Sequence, residues 1–548
     1  MPHVQYRALV DVTADAPAVV RAAAILDVGA AAPITPVVTD PGTTAYAAER
    51  TDGTAGTLRI VYEIESPPTA DPPATATRVR VTVRSDVKVP YFRWFVVPLT
   101  WFMVRREARY RTVALGVVLA GGDAPERTSS ALLPPAHFTV EQAAYLSVAA
   151  FAAAAANFGG ALVGQEGTYV RHGYHVSTAA LGDMLTLSRF GVLVALVAAV
   201  LADRVGRRRL ILWGLVGVAL SNLVSAVAPT FLVFSMGQFL TRGFVNAVLP
   251  VAAIAIIEEA PEGARAFALA MLALAMGAGY AVSVFLLPFS DLGPHAFRIP
   301  FAVSALTILC VPRLGRRLSE TRRYEVLRRE GVERGRFREV FDRRHARLLL
   351  LVALSGFLGN IFSAPASQLT NAFLSDDRHF SATGIAIWRA VTAGLPALIG
   401  VIIGGRLADI RGRKPVAITA LVIVGGLEIA FFLGPEWLLW TSSTVAIFAA
   451  GIAGPAVGTF STELFPTEVR GTSNGIVTVA GVFGAVIGIT GVTRLSDHVG
   501  GLGPALAISA IVPILVALFI IPRFPEGAHQ NLDDISPTIA PHDPEVVT

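Results

Sequence analysis

The chain has 548 residues, of which 53% are hydrophobic and only 16% are charged. Its mean hydropathy of +0.59 lies outside the range of soluble globular proteins, so the composition predicts an integral membrane protein. The formal net charge of +5 does not indicate nucleic-acid binding, because the basic residues lie between apolar segments, where membrane topology accounts for them. A single cysteine, Cys310, excludes a disulfide framework. Neither Lys88 nor Lys414 follows a glycine, so the phosphate-binding Gly-Lys-Ser/Thr sequence is missing and we expect no ATP hydrolysis by that route.

Residues 1–119 have the pattern of a small α+β domain. Apolar and polar residues alternate over 4–12 and again over 79–83, which is strand periodicity. Residues 15–26 have the capping residue and proline of a helix start, and residues 91–119 form a second, aromatic-rich helical stretch. This order of one strand, one helix, several strands and a long closing helix is similar to a shortened helix-grip domain of the START-like, polyketide-cyclase (SRPBCC) class.

Twelve apolar segments follow, each long enough to cross a bilayer, which takes about 20 helical residues at 1.5 Å each. We name them spans one to twelve: 141–163, 183–202, 209–228, 231–257, 266–288, 298–314, 347–374, 382–406, 415–433, 437–461, 471–493 and 503–522. The predicted fold is therefore an all-α membrane protein preceded by the α+β domain. Its predicted units are a cytoplasmic domain 1–119, a linker 120–136, an N-half 137–312, a basic connection 313–346, a C-half 347–527 and a disordered tail 528–548.

The two six-span halves repeat one plan. The sequence from Leu201 to Arg208 returns from Leu407 to Lys414, with its aspartate shifted by 206 positions. A Glu-x-x-Pro-x-x-x-Arg sequence beginning at Glu258 returns 205 positions later. Repeated membrane halves of this length are the sequence mark of a secondary transporter.

Arginine and lysine residues are concentrated in the connections after spans two and eight and in 313–346. The alternate connections, such as 290–293 and 434–436, are short and nearly free of them. Because basic loops stay on the cytoplasmic side, the pattern predicts a multi-pass plasma (inner) membrane protein with both termini in the cytoplasm.

Several charges near the basic side oppose the dipole of their own helix. We therefore expect each to have a partner, either an opposite charge or the free amide groups at the first turn of another helix. The alternative is that these charges only fix topology. They are Asp203, Asp409, Glu258 and Glu463 at helix ends and Arg265 and Arg470 at helix starts. Gly206 and Gly412 are expected to permit tight turns between spans.

Five motifs in this order, at 203–208, 258–265, 319–323, 409–414 and 463–470, resemble the major facilitator superfamily, especially its sugar-porter and metabolite:proton symporter branches. The resemblance covers 137–527 and implies alternating access, driven by a proton gradient, with a cytoplasmic gate. The implied gate residues are Asp203, Arg204, Gly206, Arg207, Arg208, Glu258, Arg265, Asp409, Gly412, Arg413, Glu463 and Arg470.

The resemblance also implies that two locks join the halves. Asp203 is expected to meet the start of span eleven near Arg470, and Asp409 the start of span five near Arg265. Ile410 replaces the family's arginine after the second aspartate, and span five lacks the Gly-Pro pair of the family's antiporters, which weakens a drug-efflux interpretation.

Polar residues inside a bilayer are costly, so each is a candidate for the substrate and ion pathway. The candidates are Asn157, Arg189, Arg242, Asn246, Asn360, Gln368, Asn371 and Arg389. Arg242 resembles the superfamily's span-four arginine, and with Arg189 it would favour an anionic solute such as a carboxylate. The alternatives are contacts within the bundle for Arg242, snorkelling for Arg189 and Arg389, and helix-to-helix hydrogen bonds for the amides. Pro365 is expected to break span seven.

The predicted function is a secondary active transporter, not an enzyme, with a small solute, protons and the lipid bilayer as partners. No cofactor, catalytic residue or metal site is expected, although His172 and His175 have a metal-like spacing. Within its predicted bounds, span one shows no carboxylate dedicated to proton coupling. The alternative function is a membrane-embedded sensor or scaffold that binds a hydrophobic ligand through residues 1–119. That region is otherwise expected to be a cap held on the bilayer by Trp94, Trp101 and Phe102.

Overall fold

A computed structural model gives the architecture. It describes residues 3–13, 16–26, 35–38, 43–53, 56–65, 76–86, 89–125, 138–192, 205–261, 264–321, 343–463 and 467–524. The N-terminal elements are β1 His3–Thr13, α1 Ala16–Leu26, β2 Thr35–Val38, β3 Thr43–Gly53, β4 Gly56–Glu65, β5 Ala76–Asp86 and α2 Arg93–Leu119.

The N-terminal strands form one antiparallel sheet in the order β1-β5-β4-β3-β2. Because side chains alternate along a strand, one face carries Ile60, Val79 and Val81, all fully buried, and this face packs against Ala108 and Leu115 of α2. The predicted element order is therefore present. The resemblance of this part to a START-like domain stays a prediction.

The membrane part is helical almost throughout. In the N-half, the helices are Val140–Tyr174 (span one), Thr178–Arg189 (span two), Arg207–Val227 (span three), Phe231–Glu259 (span four), Arg265–Leu286 with a 3₁₀ turn Leu287–Leu292 (span five), and Arg298–Ala305, Leu306–Cys310 and Val311–Arg317 (span six). In the C-half, they are Arg343–Ala372 with a π turn Phe373–Asp377 (span seven), Ala382–Thr392 and Gly394–Arg411 (span eight), Arg413–Leu433 (span nine), Glu436–Glu463 (span ten) and Thr467–Val499 (span eleven). Span twelve consists of Leu502–Ser509, Ile511–Leu515, Val516–Ile520 and Ile521–Arg523.

Eleven of these segments, counted within the described ranges, are long and apolar enough to cross a membrane. They correspond to the predicted spans except span two. The helix of span two is described only from Thr178 to Arg189, and its predicted continuation over 193–202 lies outside the described residues.

Two predictions about the spans were wrong. The helix of span one does not end near Val163 but continues to Tyr174, and this extension buries a carboxylate, Glu166, inside the bundle. Span seven is not broken at Pro365, because its helix runs without interruption to Ala372. A proline removes one helical hydrogen bond, and the surrounding helix tolerates that loss here.

The two sides of the membrane part are distinguished by their connections. We call the side with the Gly206 and Gly412 turns the basic side and the other the far side. On the far side spans one and seven pack together, and Gly164 allows this approach, since a Cβ added there would lie 2.8 Å from Gln368 Oε1. The far-side ends of spans two and eleven also meet, with Gly182 against Thr493.

Candidate functional site

The turns after spans two and eight have the same backbone geometry. Gly206 has φ 98° and ψ 154°, and Gly412 has φ 94° and ψ 152°. Residues other than glycine are strained at such positive φ values. In each half the next helix begins at the residue after the glycine, Arg207 or Arg413. The repeat seen in the sequence is thus a repeat of structure at these turns.

A buried ion pair joins spans three and four on the basic side. Arg207 Nη2 lies 3.1 Å from Glu258 Oε1, and both side chains are 8% exposed. Thr321 Oγ1 donates a 2.6 Å hydrogen bond to the other oxygen of Glu258. Glu258 therefore has the arginine partner that its unfavourable position at a helix end required.

A second carboxylate caps span three. Glu320 Oε1 accepts hydrogen bonds from the backbone amides of Arg207, at 2.8 Å, and Arg208, at 3.3 Å. Free amides at a helix start favour a negative charge, so this contact holds the end of span six against span three. Glu320 and Thr321 were missing from the candidate gate residues. The sequence did contain a signal, because Glu320 returns as Glu526 after 206 positions.

The predicted locks between the halves cannot be placed from side chains. Asp203 and Arg204 lie outside the described residues, and so do the side chains of Arg265, Asp409, Glu463 and Arg470. The backbones of the last four residues are described, and they lie at the basic ends of spans five, eight, ten and eleven, respectively. The two locks stay predictions.

Two arginines lie close together in the middle of the N-half. Arg189 ends the helix of span two and Arg242 lies in span four, each eleven residues, or about 17 Å, from the far-side start of its helix. The two helices approach closely, since a Cβ on Gly191 would lie 2.8 Å from the amide nitrogen of Gly243. Both arginines are half-buried, and the charge of Arg242 acts on Arg189.

Neither guanidinium has a hydrogen bond or an ion pair to any residue that the structure describes. Asn246 lies one turn from Arg242 on the same face of span four and likewise forms no hydrogen bond within the described ranges. Two like charges without counter-ions in a bilayer are unfavourable unless an anion neutralises them. The arrangement is therefore suited to binding a negatively charged solute.

A closed ring of hydrogen bonds joins four spans between this site and the far side. Gln165 Nε2 and Arg389 Nη1 both donate to Tyr280 Oη, at 3.0 and 3.1 Å. Arg389 Nε donates to Asn371 Oδ1 at 2.7 Å, and Asn371 Nδ2 donates to the carbonyl oxygen of Gln165 at 2.9 Å. The ring bridges the two halves, so Arg389 does not snorkel towards the membrane surface. Gln165 and Tyr280 were not among the predicted site residues.

Charged contacts also join the halves at the far-side surface. Asp291, after span five, accepts hydrogen bonds from the backbone amides of Ala382 and Thr383, both at 2.9 Å, at the start of span eight. Arg171, at the end of span one, forms an ion pair with Asp376 at the end of span seven, and His172 Nε2 lies 3.1 Å from the other carboxylate oxygen. Since a helix start attracts negative charge, Asp291 acts as a cap supplied by the opposite half.

Replacing Asp291 by alanine is expected to open the far side. The loss of three hydrogen bonds, including one from Thr383 Oγ1 at 2.7 Å, should increase the fraction of molecules with separated far-side ends about 5- to 100-fold. Pulsed EPR distances between labels at the far-side ends of spans three and nine measure this. Asp183→Ala is the matched control, because its ion pair with Arg494 also joins the halves but is more than 60% exposed and contributes little. Equal distance distributions in the two variants would contradict the capping role.

The remaining pathway candidates differ in their contacts. Asn157 Nδ2 donates to the carbonyl oxygen of Met276 in span five, so it holds the N-half together. Asn360 donates to the carbonyl of Gly356 in its own helix. Gln368 faces Gly164 of the other half, and its buried Oε1 has no partner among the described residues. Helix-to-helix bonding, the alternative interpretation of the amides, thus applies to Asn157, as it does to Asn371 in the ring described above.

A buried carboxylate was missed by the sequence analysis. Glu166 is fully buried, and its Oε2 accepts a 2.6 Å hydrogen bond from Ser290 Oγ. Its other oxygen is buried without a partner in the described part of the chain. The apolar run ends at Val163, so a criterion based on hydropathy stops before Glu166 although the helix continues.

Comparison with known proteins agrees with this geometry. The model of the family described as Major Facilitator Superfamily matches residues 144–388 and 357–536. The chain belongs to this superfamily. It is a secondary transporter and an integral, multi-pass membrane protein. The family match begins after residue 143, so the sheet and α2 lie outside it.

Individual relatives are distant but cover most of the membrane part. A probable 4-methylmuconolactone transporter of Cupriavidus pinatubonensis is 27% identical over 64% of this chain and 85% of its own length. The sialic acid transporter of Escherichia coli K12 is 25% identical over 58% and 80%. Among solved structures, the inward-open E. coli xylose transporter superposes with a TM-score of 0.59 at 16% identity, covering 71% of this chain and 98% of that one. The last likeness shows the fold alone and assigns no sugar-porter branch.

Proposed function

We propose that the protein transports a small organic anion, with a carboxylate as the recognised group, by alternating access of its two halves. One observation supports this most directly: Arg189 and Arg242 lie together at mid-membrane without a carboxylate in contact among the described residues. An arginine fork matches a carboxylate in geometry as well as in charge. The relative from E. coli, a sialic acid transporter, is consistent with this, since a sialic acid is an organic acid.

The proposal includes an orientation and a conformational state. We propose that both termini and the N-terminal domain 1–119 lie in the cytoplasm, as the twelve predicted spans imply, and that the basic side faces the cytoplasm of a plasma (inner) membrane. The hydrogen bonds and ion pairs between the halves described above all lie on the far side. These contacts close the far side, and we propose that the locks of Asp203 and Asp409 form when the far side opens.

Transport assays in liposomes test the substrate class. Purified protein should take up labelled monocarboxylates and dicarboxylates saturably, and unlabelled anions should compete while neutral sugars of the same size should not. The outcome that overturns the proposal is saturable sugar uptake that no organic anion inhibits.

We further propose that transport is coupled to protons and that Glu166 is the residue that binds the coupled proton. A carboxylate buried without a cation is costly, so such a group is suited to bind and release a proton as the conformation changes. Ser290 holds one oxygen of Glu166, and the contact joins span one to the end of span five. Movement of these spans would change the environment of the carboxylate and so the free energy of its protonation.

Replacing Glu166 by glutamine is expected to uncouple transport. The amide cannot exchange a proton, so uptake driven by a pH gradient should fall at least tenfold, while exchange of labelled for unlabelled solute at equal pH should persist. Glu428→Gln is the matched control, because Glu428 is a carboxylate within span nine, away from the contact between the halves. Gradient-driven accumulation that survives in Glu166→Gln would assign coupling to another group.

A further inference from the structure

The N-terminal domain is attached to the membrane part by two aromatic residues. The ring of Tyr91 stacks on Phe151 of span one, with ring centres 4.4 Å apart and planes inclined by 17°. Arg317, at the end of span six, lies 5.9 Å from the centre of the same ring. Phe92 packs against Ala150 and Ala154 of span one and Ala275 of span five.

The backbone at this point is unusual, which shows how firmly it is held. Phe92 has φ 55° and ψ 29°, the left-handed conformation that bulky residues rarely adopt. Such a conformation persists only where the surroundings stabilise it. The turn at Phe92 directs the chain into α2, which begins at the next residue.

Phe92 lies within the membrane rather than above it. Span five and its 3₁₀ turn, Arg265–Leu292, extend about 42 to 45 Å, which is the thickness of a whole bilayer including headgroups. Ala275 is ten residues, or about 15 Å, from the basic end of this helix. The headgroup layer is only about 5 to 7 Å thick on each side, so α2 starts at or below the hydrocarbon boundary.

The helix α2 then presents two different faces. At 100° per residue, the buried residues of α2 fall within one arc of about 120°. They are Thr100, Val104, Ala108, Arg111, Ala114 and Leu115. The opposite arc contains the exposed apolar residues Trp101, Phe102, Val113 and Val117 together with Arg105, Arg106 and Arg109. The only acidic residue of α2, Glu107, lies outside the exposed arc and pairs with the buried Arg111. We call the exposed arc the α2 face.

We infer that the α2 face binds the anionic lipid headgroups of the basic-side leaflet. Tryptophan and phenylalanine beside arginines, without acidic residues, match the boundary between acyl chains and negatively charged headgroups. The surface is also continuous with the Phe92 contact, which fixes the start of α2 at membrane depth. Trp101 is oriented by Tyr6 and Arg105, whose guanidinium lies 5.3 Å from the indole centre, so the aromatic and basic groups form one surface. Lipid composition would thereby act on the transporter through span one and span five.

Site-directed spin labelling tests the position of the α2 face. Cys310 is the single native cysteine, so a Cys310→Ser background accepts one label at a time. In liposomes containing phosphatidylcholine and phosphatidylglycerol, a label at Phe102→Cys should be accessible to oxygen and shielded from a water-soluble nickel chelate. The matched control is Leu9→Cys on β1, which is 59% exposed and outside α2, and whose label should be reached by the chelate. Equal chelate accessibility at the two positions would overturn the inference.

The lipid charge and the arginines provide a second test. Arg109→Gln should raise chelate accessibility at the Phe102 label about fivefold in anionic liposomes, whereas Arg7→Gln, an exposed arginine of β1, should leave it unchanged. In liposomes of phosphatidylcholine alone, the Arg109 effect should disappear. If the Phe102 label is exposed in every liposome but shielded in native membrane vesicles, a protein partner occupies the face and the lipid assignment is wrong.

Discussion

Replacing Arg242 by alanine is expected to lower the rate of organic-anion uptake at low substrate concentration about 10- to 100-fold. Arg242 is half-buried in span four beside Arg189, and neither has a counter-ion among the described residues. A hydrogen bond from a charged donor contributes about 1.5 to 3 kcal/mol, and a factor of ten corresponds to about 1.4 kcal/mol. Initial rates in liposomes over a range of substrate concentrations measure the change. The loss should appear in KM as well as in maximal rate, because the guanidinium contacts the bound anion.

Three variants define the role of Arg242. Arg242→Lys keeps the charge but loses the two-pronged geometry, so its uptake should lie between those of the wild type and Arg242→Ala. Arg494→Ala removes an arginine that is 67% exposed at the far side and should transport normally. If Arg242→Ala transports anions like the wild type while the protein is folded, the central arginines do not form the substrate site. A loss confined to Arg189→Ala would move the site towards span two.

The repeated architecture was predictable because it depends on patterns that physical chemistry imposes locally. A helix that crosses a bilayer needs a long apolar run, and a turn with φ near 95° requires glycine, so the spans and the Gly206 and Gly412 turns are visible in the sequence. The same holds for Glu258. A carboxylate at a helix end is unfavourable alone, and it has an arginine partner in the structure.

The far-side contacts were not predictable from the same rules. Gln165, Tyr280, Asn371 and Arg389 come from four spans separated by up to 224 positions, and no local pattern states that they meet. Span one was shortened in the prediction because its last eleven residues include Gln165 and Glu166, although both of these side chains are buried. Hydropathy measures contact with lipid, whereas Glu166 and Gln165 are buried in protein, so the criterion excluded the segment where the far-side contacts form.

Replacing Glu258 by alanine is expected to destabilise the N-half by about 3 to 5 kcal/mol, because it removes the carboxylate that pairs with the buried guanidinium of Arg207. Thr321, which donates to Glu258, would lose its acceptor as well. Thermal unfolding of purified protein in a fixed detergent measures the loss. Glu258→Gln keeps an oxygen for Thr321 and should retain part of the stability, whereas Glu436→Ala, an exposed carboxylate at the start of span ten, should cost about 1 kcal/mol or less.

The double variant Arg207→Ala with Glu258→Ala separates the ion pair from the packing around it. When both charges are removed, no uncompensated charge stays buried, so the combined loss should be smaller than the sum of the two single losses by about 1 to 3 kcal/mol. Strict additivity would show that Arg207 and Glu258 stabilise the fold through other neighbours. Because Glu320 caps the same turn through the amides of Arg207 and Arg208, the double variant should still hold span six against span three. Transport by the double variant is therefore expected to persist below its unfolding transition, which flux measurements at such a temperature can test.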